Sequence, residues 1–281
     1  HLVYQQIPRY ISYILLGWEQ KNNVKFAQKM CNQGVAIVVL YNRSAFMIRT
    51  LLYTFLIFLL AAPARAQWSD VGGGTSLPVF SLEADTVNNI LYAGGQFLTA
   101  GTSPSLRVAQ WDGATWQPLG LGVVTGVSVD ALQMHNGDLY TGGTFISVGG
   151  IGVSNIARWD GLVWVDLAGG LTSLIGIGNV NALAVYNGDL YAGGTFTNAG
   201  ATIVNNIARW DGASWQPVGS GINGPVKSLH AWNGDLYVGG TFTDAGGVAV
   251  NNIAKWDGSS WSDVGGGMLN FTGATTVNTI S

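Results

Sequence analysis

The stretch Asn187-Gly188-Asp189-Leu190-Tyr191-Ala192-Gly193-Gly194-Thr195-Phe196 decides the reading of this chain, together with Asn206-Ile207-Ala208-Arg209-Trp210-Asp211-Gly212 and the Trp215 and Val218-Gly219 that follow. It is one copy of a pattern found four times. The Trp-Asp-Gly triplets begin at Trp111, Trp159, Trp210 and Trp256, in steps of 48, 51 and 46 residues. The Tyr-x-Gly-Gly motifs at Tyr92, Tyr140, Tyr191 and Tyr237 advance by the same steps, so the two series mark one repeating unit. Each unit carries a second tryptophan: Trp116, Trp164, Trp215 and Trp261.

Working outward, each unit resolves into four short strands. The first is the apolar run around Val129 to Met134, Val180 to Val185 or Val226 to Ala231. Asn-Gly at 136, 187 and 233 then supplies the positive φ angles of a tight hairpin turn. The second strand holds the paired glycines, Gly142-Gly143, Gly193-Gly194 and Gly239-Gly240, which admit a bulge or a close neighbouring backbone. After an Ala-Gly-rich loop, the third strand, Asn-Ile-Ala-Arg/Lys-Trp, turns through Asp-Gly and returns as the fourth through the second tryptophan. A lone four-stranded sheet cannot bury both faces, so successive units stack through their large aromatic side chains. The expected fold is all-β: a β-propeller of four-stranded antiparallel blades, with four full repeats between partial ones. Trp68 to Val71 reads as the last strand of a unit and suits ring closure; Thr276 to Ser281 reads as the start of another. A complete protein is expected to have at least five blades.

The pattern resembles the kelch-type repeat of galactose-oxidase-like propellers. It is more similar to the Leu-Tyr-x-Gly-Gly-x-Phe and Trp-Asp-Gly-x-x-Trp repeats of the fungal cortical cell-polarity marker and of many bacterial secreted or surface proteins. The resemblance covers residues 68 to 281 and implies a fold, without implying an activity. The copper radical site of galactose oxidase needs a cysteine linked to tyrosine. Residues 67 to 281 contain no cysteine, and Cys31 is the only one in the chain, so that chemistry is not carried over.

The N-terminal portion reads differently. Residues 1–46 precede Met47 and stand outside the repeats as an upstream extension. Residues 47–66 have a positive start, an apolar run from Leu51 to Ala62 too short to span hydrocarbon, and Ala64-Arg65-Ala66, the layout of a secretory signal peptide. Residues 67–281 are then the mature propeller region, without a membrane span and located outside the cell or at its surface. Charge divides in the same way, +6 over residues 1–66 and −9 over residues 67–281. The acidic portion repels phosphate backbones, which argues against nucleic acid as a partner.

Chemistry in a repeat protein should rest on residues that break the repeat. Asp138, Asp189 and Asp235, and Asp112, Asp160, Asp211 and Asp257, recur at turns, where aspartate bonds nearby N–H groups; they do not form the oxygen-rich cluster calcium needs. Arg158, Arg209 and Lys255 recur as well and read as structural. Glu83, Asp85, Asp130, Asp166 and Asp244 leave these columns, and nothing in the sequence pairs them. The expectation is therefore binding or scaffolding, with no catalytic residue, metal or cofactor. The partner would be a protein or glycan at a propeller rim. The connections between units, with Leu171, Ile175 and Ile177 in the long apolar one, share that recognition rim with the Ala-Gly-rich loops. On the opposite rim His135, Tyr186 and Trp232 occupy one column, open to reading as an aromatic strip or as packing. The alternative is a carbohydrate-active lyase or hydrolase on the same scaffold, which requires a carboxylate pair.

Overall fold

The computed structural model describes strands within residues 14–41, and residues 70–174, 178–268 and 276–280. The chain divides into two units, His1–Ser69 and Asp70–Ser281. In the first, Ile14–Gln20, Asn23–Asn32 and Val35–Tyr41 form a three-stranded antiparallel meander. The upstream extension thus carries a sheet of its own. The expected signal segment, 47–66, and Trp68 lie outside the described residues.

The second unit is built from four four-stranded meanders, whose strands we label a to d in chain order. In the first sheet these are Val79–Asp85, Ile90–Gly95, Val108–Trp111 and Trp116–Pro118. The second has Thr125–His135, Asp138–Val148, Ile156–Trp159 and Trp164–Asp166. The third has Asn179–Tyr186, Asp189–Thr195, Ile207–Trp210 and Trp215–Pro217, and the fourth Val226–Trp232, Asp235–Gly240, Ile253–Trp256 and Trp261–Asp263. All are antiparallel in the order a-b-c-d, as the two hairpin signals per repeat require. Asn136, Asn187 and Asn233 sit at φ 50 to 51°, the left-handed region that Asn-Gly turns demand.

Each half of the double glycine has a separate task. Strand a bulges opposite it, with register shifts at Val79/Ser81, Val129/Ala131, Val180/Ala182 and Val226/Ser228. A methyl group on the second glycine, such as Gly143 or Gly194, would strike the strand-a carbonyl of Ser128 or Asn179. At the first glycine the obstacle is the next sheet: a Cβ at Gly94 or Gly142 would lie 2.6 or 2.5 Å from Cγ1 of Val129 or Val180. Val226 over Gly193 and Val277 over Gly239 repeat that contact. Close backbone approach and bulge are therefore both present, one per glycine.

Tryptophans bind the sheets in series. Within each sheet the two rings meet at 5.2 to 5.5 Å. The indole N–H of the second reaches back to the preceding repeat, from Trp116 to the Val71 carbonyl, Trp164 to Leu119, Trp215 to Leu167 and Trp261 to Val218, at 2.9 to 3.2 Å. Val129, Val180 and Val226 are fully buried where they meet the preceding sheet. Val277 and Ile280 lie on the fourth sheet in the same manner; the Val277 amide donates to the Gly240 carbonyl and the Ile280 amide to Ser228 Oγ. The extensive contacts run from each sheet to the next in sequence, and among the described residues none of that extent joins the fourth sheet to the first.

Candidate functional site

The four-sheet stack presents two rims of opposite character. One holds the a–b and c–d turns and is acidic. At its c–d turns Asp112, Asp160, Asp211 and Asp257 each accept backbone N–H bonds from the residues two and three positions on, at 2.7 to 2.9 Å. Those bonds, preceded at Asp257 by the hydrogen bond from the Ser260 hydroxyl, favour the carboxylate and depress all four pKa values, that of Asp211 to about 2. Asp85 caps the one a–b turn that lacks Asn-Gly, accepting from Asn88 Nδ2 and from the Val87 and Asn88 amides; those bonds, the Asn88 side chain first, lower its pKa too. At the other three a–b turns Asp138, Asp189 and Asp235 pair with Arg158, Arg209 and Lys255 across strands b and c, at 2.8, 3.1 and 2.6 Å. The repeated acids and cations are thereby occupied within the fold.

The other rim joins two kinds of segment that are distant in sequence. The connection entering each sheet pairs with that sheet's b–c loop, through Thr75 with Ala100, Thr125 with Ser147, Leu171 with Ala199 and Ile222 with Ala245. Glycine amides of the loops donate to glycine carbonyls of the connections: Gly101 to Gly74, Gly149 to Gly122, Gly200 to Gly170 and Gly246 to Gly221. A further bond ties each loop to the connection leaving its sheet. Asn155, Asn206 and Asn252, at φ 61 to 65°, donate side-chain N–H groups to the carbonyls of Leu171, Ile222 and Met268, and Arg107 takes this role toward Val123 in the first sheet.

This second rim carries little charge. Segments 71–78, 96–107, 119–128, 144–155, 167–178, 195–206, 218–225 and 241–252 contain two charged residues, Arg107 and Asp244, and Asp70, Asp166 and Asp263 cap the turns at Gly73, Gly169 and Gly266 where connections begin. Its aliphatic side chains face outward: Leu121 and Ile146 are each 65% exposed, Ile203 is 78% exposed, and Val124 and Val127 lie beside them in sequence. Leu121 also borders Gly150 of the adjoining loop, so the connection and the loop contribute to one apolar patch. At the fourth sheet the rim turns polar, where Asn223 Oδ1 accepts from the Thr243 and Asp244 amides.

The residues singled out from sequence fall in several places. Leu171 is fully buried, because its backbone pairs with Ala199 and its side chain joins the core; the exposed residue of that connection is Leu174, at 82%. Ile175 and Ile177 lie outside the described residues. His135, Tyr186 and Trp232 each stack on the strand-b tyrosine of their own sheet, at 5.9, 5.6 and 5.8 Å from Tyr140, Tyr191 and Tyr237. Tyr186 is buried, with its hydroxyl donating to the Gly234 carbonyl of the next sheet's turn, so it fastens two sheets instead of extending an open strip. Trp232 is exposed.

The off-column acids have separate hydrogen-bond partners. Glu83 accepts from the Met134 amide and Gln133 Nε2 of the second sheet, and burial raises its pKa against the opposing hydrogen bond. Asp166 and Asp244 cap turns at Gly169 and Gly247. Among the described residues no group of three His, Cys, Asp or Glu side chains gathers as a metal site, and no helix is long and apolar enough to cross a membrane. In comparisons with known proteins, the sequence matches no protein-family model and none of the curated proteins.

Proposed function

We propose that this chain is a secreted or cell-surface propeller module of the kelch-like kind that binds a protein or glycan partner through its weakly charged rim and performs no catalysis. The observation that carries this reading is the segregation of charge. The repeated acids and cations lie at one rim, where turns and ion pairs occupy them, whereas the loops of the other are largely aliphatic and its few acids, Asp70, Asp166, Asp244 and Asp263, are engaged in capping turns. Surfaces of that kind exclude water at low desolvation cost, since few ionised groups lose their hydration. Four meanders that stack in one sense through the same valine, glycine and tryptophan contacts support a propeller architecture. The signal-like residues 47–66 support export, and N-terminal sequencing of the secreted product should begin at Gln67.

The test is an array of glycans and extracellular proteins probed with the full chain. Binding should disappear in the double variant Leu121→Ser/Ile146→Ser and persist in Trp232→Ala. Binding that survives the rim variant would remove the rim from the reading, and cleavage of an arrayed polysaccharide would replace the module with an enzyme.

A further inference from the structure

The bulge in strand a places one unpaired residue at the same level of every sheet: Phe80, Asp130, Asn181 and Lys227. The positions around it repeat, with Val79, Val129, Val180 and Val226 before it and the small residues Ser81, Ala131, Ala182 and Ser228 after it. The bulged column differs in every copy: an aromatic ring, a carboxylate, a carboxamide and an ammonium group. A constellation made of four different chemistries at one height is what a repeat scaffold needs for a unique site.

Contacts at this level join the third and fourth sheets. Asn181 Nδ2 donates to the carbonyl of Val226, the residue before Lys227, at 2.6 Å, so the amide crosses the gap between those sheets. Asn179 Nδ2 donates to Asn181 Oδ1 at 2.7 Å, and Asn179 Oδ1 is left buried with no partner. Buried carbonyl oxygens are normally bonded, so this orphan acceptor beside the column marks a place for an incoming donor. Lys227 makes no ion pair among the described residues, although its charge is felt at Asp130, two sheets away. Burial raises the pKa of Asp130 despite its Ser128 hydrogen bond and the Lys227 charge. Phe80 is half-exposed at the end of the row.

The combined charge of the column is zero, so an ionic ligand meets one attractive and one repulsive group. A hydroxyl, which both donates and accepts, can use all of them: Asp130 and Asn179 Oδ1 as acceptors, Lys227 as donor. We propose that the bulged residues of the four a strands form a binding site for a neutral sugar, held by Asp130, Asn181 and Lys227, with its C–H face against Phe80. This site is separate from the rim and stands or falls without it.

Saturation-transfer NMR on the full chain, with methyl glycosides of gluco, galacto, manno and xylo configuration as probes, tests the assignment. At least one glycoside should receive saturation. Asp130→Ala and Lys227→Met should each weaken it about tenfold, the effect of one lost charge-assisted hydrogen bond. Phe80→Ala removes only a half-exposed ring and should weaken binding with the thermal midpoint unchanged, which separates recognition from folding. Arg209→Met, which removes an ion pair of the acidic rim, should leave the signal as it was, and a signal that depends on Leu121 but not on Lys227 would overturn the proposal in favour of the rim. Absence of transfer to all four glycosides would overturn the proposal, as would a signal that survives both Phe80→Ala and Lys227→Met. Transfer to glycine betaine in place of the glycosides would overturn it in favour of a zwitterion site.

Discussion

The two rims of the sheet stack are made by the same four repeats, yet the c–d turns of one are chemically constant and the exposed side chains of the other are not. At the c–d turns every copy solves the same local problem, a tight turn with N–H groups to satisfy, and solves it with the same aspartate. On the apolar rim the hydrogen-bonded clasp between connection and loop is equally constant, but its exposed side chains run from Leu121 and Ile146 to Asn223 and Asp244. Backbone bonds hold that rim in place, so its side chains are released from structural duty. In this protein, repetition identifies what folds the chain, and departure from repetition identifies what is available to a partner.

Breaking the repeated framework should cost most. Gly143→Ala drives a methyl into the Ser128 carbonyl and is expected to lower unfolding free energy by about 3 kcal/mol, measured by urea denaturation. Trp215→Phe keeps an aromatic ring over Trp210 but removes one of the two donors to the Leu167 carbonyl, which keeps the Gly170 amide, at about 0.5 to 1.5 kcal/mol. Acid acts with opposite sign on the turn aspartates and on two strand-a carboxylates. The five aspartates with depressed pKa values, Asp85, Asp112, Asp160, Asp211 and Asp257, stabilise the fold fully above the ordinary value of 3.8, and that contribution is lost as pH falls toward the folded value of about 2 at Asp211. Glu83 and Asp130 are raised and oppose the trend, because protonation relieves the cost of burying their charge. The thermal midpoint should therefore drop through that window, and Asp211→Asn should make the drop shallower. Removing a half-exposed ion pair with Arg209→Met should cost less than about 1 kcal/mol, an effect that added salt reduces. Least affected in stability, by no more than about 0.5 kcal/mol, should be Leu121→Ser on the apolar rim, although partner binding depends on it. A large loss of stability there would erase the distinction between the rims.

The framework was readable from sequence because its devices have fixed spacings. Asn-Gly, Asp-Gly and the paired tryptophans demand particular φ values and particular burial, so their periods translate into hairpins and sheet contacts residue by residue. That connections and Ala-Gly-rich loops share a rim was likewise expected, and the glycine-to-glycine bonds that join them were not. What escaped were properties set across sheets. Leu171 looks like its exposed neighbour Leu174 in a linear reading, and only the pairing with Ala199 turns it inward. Tyr186 shares a column with Trp232, but the turn at Gly234 covers the first and not the second. Asp130 seemed isolated because Asn181 and Lys227 lie about one and two repeats away; aligning the residue after the strand-a valine would have placed the three in one row.

The direction of the tryptophan bonds bears on how such a chain is put together. The indole of the second tryptophan in each sheet points to a carbonyl in the repeat already synthesised, and Val129, Val180, Val226 and Val277 each settle on a glycine that precedes them in the chain. Each new sheet thus finds its docking surface ready and leaves an equivalent one for its successor. A polypeptide wired in this way can be laid down one repeat at a time as it leaves the ribosome, and a duplicated repeat brings with it both halves of the joint it requires.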